Sequence, residues 1–104
     1  MIRVSVMYPA TEGASFDMDY YLNKHMPMVA EKCGDALKGM TVEEGVAGMM
    51  PGQPPTYVCI GTLTFDSVPA FQGAFGPHAG EIMGDIPNYT AIQPVVQISD
   101  IKQQ

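Results

Sequence analysis

Positive charge is scarce in this sequence. Only five of its 104 residues are lysine or arginine, against eleven acidic ones, and the net charge is -6. Such a chain offers little to a phosphate backbone or an anionic lipid surface, which argues against nucleic-acid and membrane partners. Long apolar runs are missing as well: nothing approaches the roughly 20 residues that a membrane-spanning helix needs. The opening MIRVSV carries Arg3 but no long apolar segment and no small-residue cleavage site. It does not read as a secretion signal, and a cytoplasmic location is expected.

Cysteine is nearly absent too. Cys33 and Cys59 are the only two, with no CxxC and no Cys/His set at metal-ligand spacing. Neither a metal site nor a disulfide is therefore expected, and Cys59, inside YVCIG, reads as a small buried hydrophobe. There is no glycine-rich phosphate loop, no Ser-His-Asp order and no paired-glutamate signature. No nucleotide, flavin or nicotinamide cofactor is expected. Charge of either sign is also low, 15% of residues, while 46% are apolar. That imbalance predicts a second apolar surface hidden by another copy of the chain.

What is present is a regular alternation of elements. Ile2, Val4, Val6 and Tyr8 alternate in a first strand over 2–9, ended by Pro9. Ser15 or Asp17 can cap a helix running to Cys33 and stopped by Gly34. A weaker strand follows over 38–47, then a proline-rich loop over 49–56. Residues 56–65, TYVCIGTLTF, form the strongest strand signal. Apolar residues lie on both of its alternating faces, Tyr57, Leu63 and Phe65 on one and Val58 and Ile60 on the other, which suggests burial on both sides. Asp66 or Ser67 caps a second helix over 68–75. Residues 76–90 mix helix, turn and loop, and a last strand covers 91–100, with Pro94 at an edge or bulge. The order βαββαβ predicts an α+β, ferredoxin-like single domain over 1–104: a four-stranded antiparallel sheet with two helices on one face. A second copy packed sheet to sheet would cover the other face.

Pro27 lies two residues after His25, inside the first helix. It has no N–H for the carbonyl of Asn23, and its ring disfavours helical angles at Met26. The helix is expected to kink, or to break and restart, near His25. Asp17, Tyr21 and His25 follow the i, i+4, i+8 spacing of one helix face. Such a face offers an acid, a phenol and an imidazole, and the imidazole exchanges protons near neutral pH. The same spacing also fits a histidine that only satisfies backbone carbonyls freed at the kink.

The stretch FDMDYYLNKHMPMV, 16–29, resembles the signature of EthD-like proteins, and DIPNYTAIQPVVQIS, 85–99, is similar to the typical end of that family. The first strand, RVSVMYP, also fits. The resemblance implies a homodimeric α+β barrel of two ferredoxin-like chains, with a pocket between sheet and helices. On that scaffold Tyr21, His25 and Pro27 occupy the characteristic positions, and Phe16 and Asp17 begin the helix. The candidate catalytic residues are His25 and Tyr21. The candidate ligand-binding residues are Tyr8, Phe16, Asp17 and Tyr89, with Asp85, Pro87 and Asn88 as a turn entering the last strand. His78 is not typical of the family. The implied ligand is a small hydrophobic or aromatic oxygenated metabolite. The implied chemistry is cofactor-free, either oxidoreductase- or monooxygenase-like or of the isomerase and cyclase kind. The alternative is a non-catalytic protein that binds or delivers such a metabolite to a partner oxygenase.

Overall fold

The computed structural model describes residues 1–104. Four strands form one antiparallel sheet: β1 (Ile2–Pro9), β2 (Gly39–Glu44), β3 (Tyr57–Phe65) and β4 (Val95–Asp100), in the order β2-β3-β1-β4. The first helical stretch comprises α1 (Met18–Tyr20), a π turn (Tyr21–His25) and α2 (Met26–Cys33). The second comprises α3 (Val68–Phe75) and α4 (Ala79–Gly84), joined by a 3-10 turn over Gly76–His78. The α+β, ferredoxin-like order read from the sequence is the order observed.

Strand register decides which side chains meet the helices. Ile2 pairs with Phe65, Val4 with Leu63, Val6 with Gly61 and Tyr8 with Cys59, so these residues share one face. Most of them are buried against Tyr21, Val29, Cys33 and Ile82. The other face is less apolar than the sequence suggested. Val58 and Ile60 do lie on it, but the alternation continues into Thr62 and Thr64, flanked by Ser5 and Thr41. Thr41 and Thr62 hydrogen-bond through their hydroxyls. β4 is an exposed edge, with Val95, Val96 and Ile98 open on its two faces. It starts at Val95, because Pro94 has no donor for the ladder. β2 is also shorter than expected, ending at Glu44 before Gly45.

Capping follows the sequence closely. The Asp17 carboxylate accepts the Tyr20 N–H at 3.1 Å, and Ser67 Oγ accepts the Ala70 N–H at 3.2 Å. Each such cap contributes about 1 kcal/mol. Gly34 ends α2 at φ 60°, where a side chain would be strained.

Of the two outcomes expected at Pro27, a kink or a break and restart, the break does not occur. Met26 keeps helical angles, φ -64° and ψ -39°, and its N–H reaches back five residues to the Tyr21 carbonyl. The helix meets proline with a π turn. Widening the turn by one residue shifts the bonding register just before the residue that cannot donate, so the helix continues instead of stopping. It also resets the phase between the residues before the turn and those after it. Tyr21 and His25 are the two buried members of the turn.

Candidate functional site

The site begins with a clamp between distant segments. Phe16 and Thr90 form an isolated antiparallel bridge, and the Asp17 N–H donates to the Tyr89 carbonyl at 2.9 Å. Thr90 Oγ1 donates to the Ser15 carbonyl at 2.7 Å. These bonds draw the DIPNYT segment under the start of the helix and bury Tyr89. Tyr8 comes from the sheet, Phe16 and Tyr21 from the helix start, and Tyr89 from the C-terminal loop. All six pairs among these four rings meet edge-on, with centroids 5.0–6.0 Å apart. Such pairs contribute about 0.5–1.5 kcal/mol each beyond area burial. The cluster is therefore a rigid wall as well as a set of hydroxyls.

His25 packs on this wall. Its ring stacks on Tyr21, 5.3 Å between centroids at 14°, and tilts against Tyr89 at 4.8 Å. Only 5% of the residue is exposed, yet both ring nitrogens have partners. Nδ1 lies 2.9 Å from Asp85 Oδ2, and Nε2 lies 3.4 Å from the Tyr89 hydroxyl. The Tyr89 hydroxyl is in turn 2.6 Å from that of Tyr8. Asp85 Oδ1 accepts from the Tyr20 hydroxyl at 2.7 Å and from Asn88 Nδ2 at 2.9 Å. The carboxylate thus holds three donors at the mouth of a surface cleft edged by Lys24 and Glu81.

The electrostatics follow from this placement. Burial favours the neutral Asp85 carboxyl, but hydrogen bonds from Asn88, His25 and Tyr20 outweigh it and hold the group below its ordinary range. Burial pushes the Tyr8 phenol up, and pushes Tyr21 and Tyr89 up much further. These three phenols stay neutral at any ordinary pH. Burial also pushes the Cys59 thiol, behind Tyr8 on the sheet, up to about 12, so it is no nucleophile.

Tyr8, Tyr21 and His25 line one small cavity between sheet and helices, otherwise walled by apolar side chains including Met26, Met83 and Phe75. Its volume is about 30 Å³, room for a single water. The Tyr21 hydroxyl reaches it by lying over Gly61: a Cβ on that glycine would fall 2.1 Å from the Tyr21 oxygen. A larger depression of about 880 Å³ lies beside β4. It is an open trough that shares only Met83 and Ile86 with the cavity and has no titratable side chain in its lining.

Five of the six residues singled out from the sequence meet here: His25, Tyr21, Tyr8, Phe16 and Tyr89. Asp17 does not. It is exposed and spends its carboxylate on the helix cap, because the first helical turn points its side chain back at its own backbone. His78 ends the 3-10 turn of the second helical stretch and neither lines the cavity nor bonds to the cluster. Asp85, Tyr20 and Asn88 are the three participants that sequence reading passed over as site residues. Asp85 stood within the DIPNYT stretch, but nothing in spacing could show that the loop folds back onto His25, sixty residues earlier. No group of three or more His, Cys, Asp or Glu side chains is arranged to hold a metal ion. No helix is long and apolar enough to cross a membrane.

Residues 11–93 match the family described as the EthD domain. The chain is similar to the crystal structure of an EthD-like protein from Ralstonia eutropha, at 48% identity and a TM-score of 0.94, covering 99% of this chain and 93% of that one. It is also similar in fold to an ethyl tert-butyl ether D family protein from Bacillus halodurans, at 19% identity and a TM-score of 0.66, covering 97% of this chain and 98% of that one. A protein from Arabidopsis thaliana shares the fold at 15% identity and a TM-score of 0.71, covering 100% of this chain and 98% of that one. No curated protein matches the chain.

Proposed function

Taking as premise that the chain belongs to the EthD family, we propose that it binds a small hydrophobic or aromatic oxygenated metabolite between sheet and helices and uses His25 as a cofactor-free acid/base. One observation carries this reading: an almost fully buried imidazole stands at a cavity wall with a carboxylate on one nitrogen and a phenol at the other. A ring held that way keeps a fixed tautomer and orientation, which is what proton transfer to or from a carbon acid or carbonyl requires. Tyr8 and Tyr21 supply neutral phenols that orient a ligand oxygen.

In this reading the cavity of about 30 Å³ is the closed form. Phe75 and Met83 on its wall are partly exposed, and a flexible methionine is well suited to swing aside for a ligand. The active unit is a homodimer. The uncovered sheet face and the open apolar edge of β4 support this. Light scattering at micromolar concentration then gives about twice the chain mass, and a stable monomer refutes the dimer.

The test of the chemistry is deuterium uptake next to the carbonyl of small aromatic ketones in heavy water, wild type against His25→Ala. Loss of the acid/base lowers the rate by about a hundredfold to ten-thousandfold while the variant stays folded. If His25→Ala keeps the exchange rate, His25 is not the base. If the ketone binds equally to both proteins and neither exchanges it, the alternative of a non-catalytic carrier takes over.

A further inference from the structure

The hydrogen bonds around His25 form a single chain, and its direction follows from Asp85. An ionised carboxylate only accepts hydrogen bonds. Tyr20 and Asn88 donate to Oδ1, so the Nδ1 facing Oδ2 carries the imidazole proton. In the neutral ring Nε2 is then bare, and the one donor facing it is the Tyr89 hydroxyl. With its proton aimed at His25, Tyr89 offers only lone pairs to Tyr8, so the short Tyr8–Tyr89 bond has Tyr8 as donor. Every proton in the chain points toward Asp85.

We propose that Tyr89 and Tyr8 relay protons between His25 and the cavity, and that Asp85 is the positioning residue that sets the polarity of the relay. The ends of the chain suit this role. Tyr8 lines the cavity, whereas Tyr89 does not; Asp85 opens onto the surface cleft. A proton leaving a ligand atom at Tyr8 is replaced along the line. Tyr8 passes its own proton to Tyr89, Tyr89 passes its own to His25 Nε2, and the imidazolium keeps its Nδ1–H on Asp85. The ligand loses one proton and His25 gains one. Because burial makes isolated phenolates unfavourable at both tyrosines, the transfers occur in concert. The Tyr89–His25 link, at 3.4 Å, is the longest in the chain, and links of this kind tighten when a ligand is bound.

The proposal rests on the acid/base reading of His25, but its test needs no ligand and so fails or succeeds separately from that reading. Nitrogen NMR of the resting wild-type protein near neutral pH reads the His25 tautomer directly. The expected result is Nδ1 protonated and Nε2 bare. A predominant Nε2–H tautomer overturns the proposal without any variant being made. Asp85→Asn, which can present an amide donor to Nδ1, is expected to move most of the population to the Nε2–H form. The ring-carbon shift of Tyr8 then reports whether the change travels. Asp85→Asn is expected to shift the Tyr8 phenolic carbon in the wild-type background and to leave it unmoved in the Tyr89→Phe background. An equal Tyr8 shift in both backgrounds overturns the relay, since a purely structural Asp85 would act without Tyr89.

Discussion

Replacing Gly61 with alanine tests the packing on which the whole site depends. Gly61 sits in the middle of β3, opposite Val6, with the Tyr21 hydroxyl above it. The new Cβ would lie 2.1 Å from the Tyr21 oxygen, 3.4 Å from its Cζ and 3.8 Å from Met26 Cε. An ordinary carbon–oxygen contact is roughly 3.3 Å, so the hydroxyl must retreat by more than about 1 Å. The ring is fully buried and stacked on His25, and the cavity beside its hydroxyl, about 30 Å³, leaves little room to retreat. Overpacking of this kind costs about 1–3 kcal/mol. Against it, alanine relieves the entropic penalty of a strand-interior glycine, about 0.5–1 kcal/mol.

The two effects separate in a double-mutant cycle with Tyr21→Phe, which removes the clashing oxygen and leaves a ring carbon at ordinary contact distance. By urea unfolding, Gly61→Ala is expected to destabilise the wild type by about 1–2 kcal/mol. In the Tyr21→Phe background it is expected to be neutral or stabilising. The coupling between the two sites should therefore reach about 2 kcal/mol, well beyond the few tenths found for independent sites. An equal cost in both backgrounds would refute the argument, because the glycine would then be required for a backbone reason and not by the phenol.

Alkaline pH should unfold the protein through its tyrosines. The folded-state values of Tyr8, Tyr21 and Tyr89 are raised by burial, so their contribution is complete below the unfolded value near about 10 and is lost as pH rises through the folded values. Phenolate absorbance of these three should appear only together with loss of helical circular dichroism, and ordinary titration in the folded protein would contradict the packing. Pro27→Ala should alter stability by less than about 1 kcal/mol, because Pro27 is exposed and its helical angles are already satisfied. The restored N–H allows the π turn to relax to α-helical bonding, which should change the His25 ring shifts. Unchanged shifts would show that packing, not the proline, holds the turn.

The sequence alone determined the element order and the family, and narrowed each helix cap to two residues. The reason is that these are local. Asp17 and Ser67 act on backbone groups three residues away, alternation of Val4, Val6 and Tyr8 needs only a strand's period of two, and Gly34 stops a helix by its own conformation. It also marked Tyr21 and His25 as neighbours, since four residues along a helix is a contact distance. Tertiary structure decided the rest. Whether Pro27 would kink the helix, break it or be met by a π turn lay in the packing of Tyr21 and His25, buried at the two ends of that turn, a balance that local rules do not contain. The partner of His25 was equally out of reach, because the carboxylate that fixes its proton arrives on a loop sixty residues further along the chain. That loop is held in place by the Phe16–Thr90 bridge and the Asp17–Tyr89 hydrogen bond. An acid capping its own helix and an acid gripping a histidine look alike in the sequence; only the fold distinguishes Asp17 from Asp85.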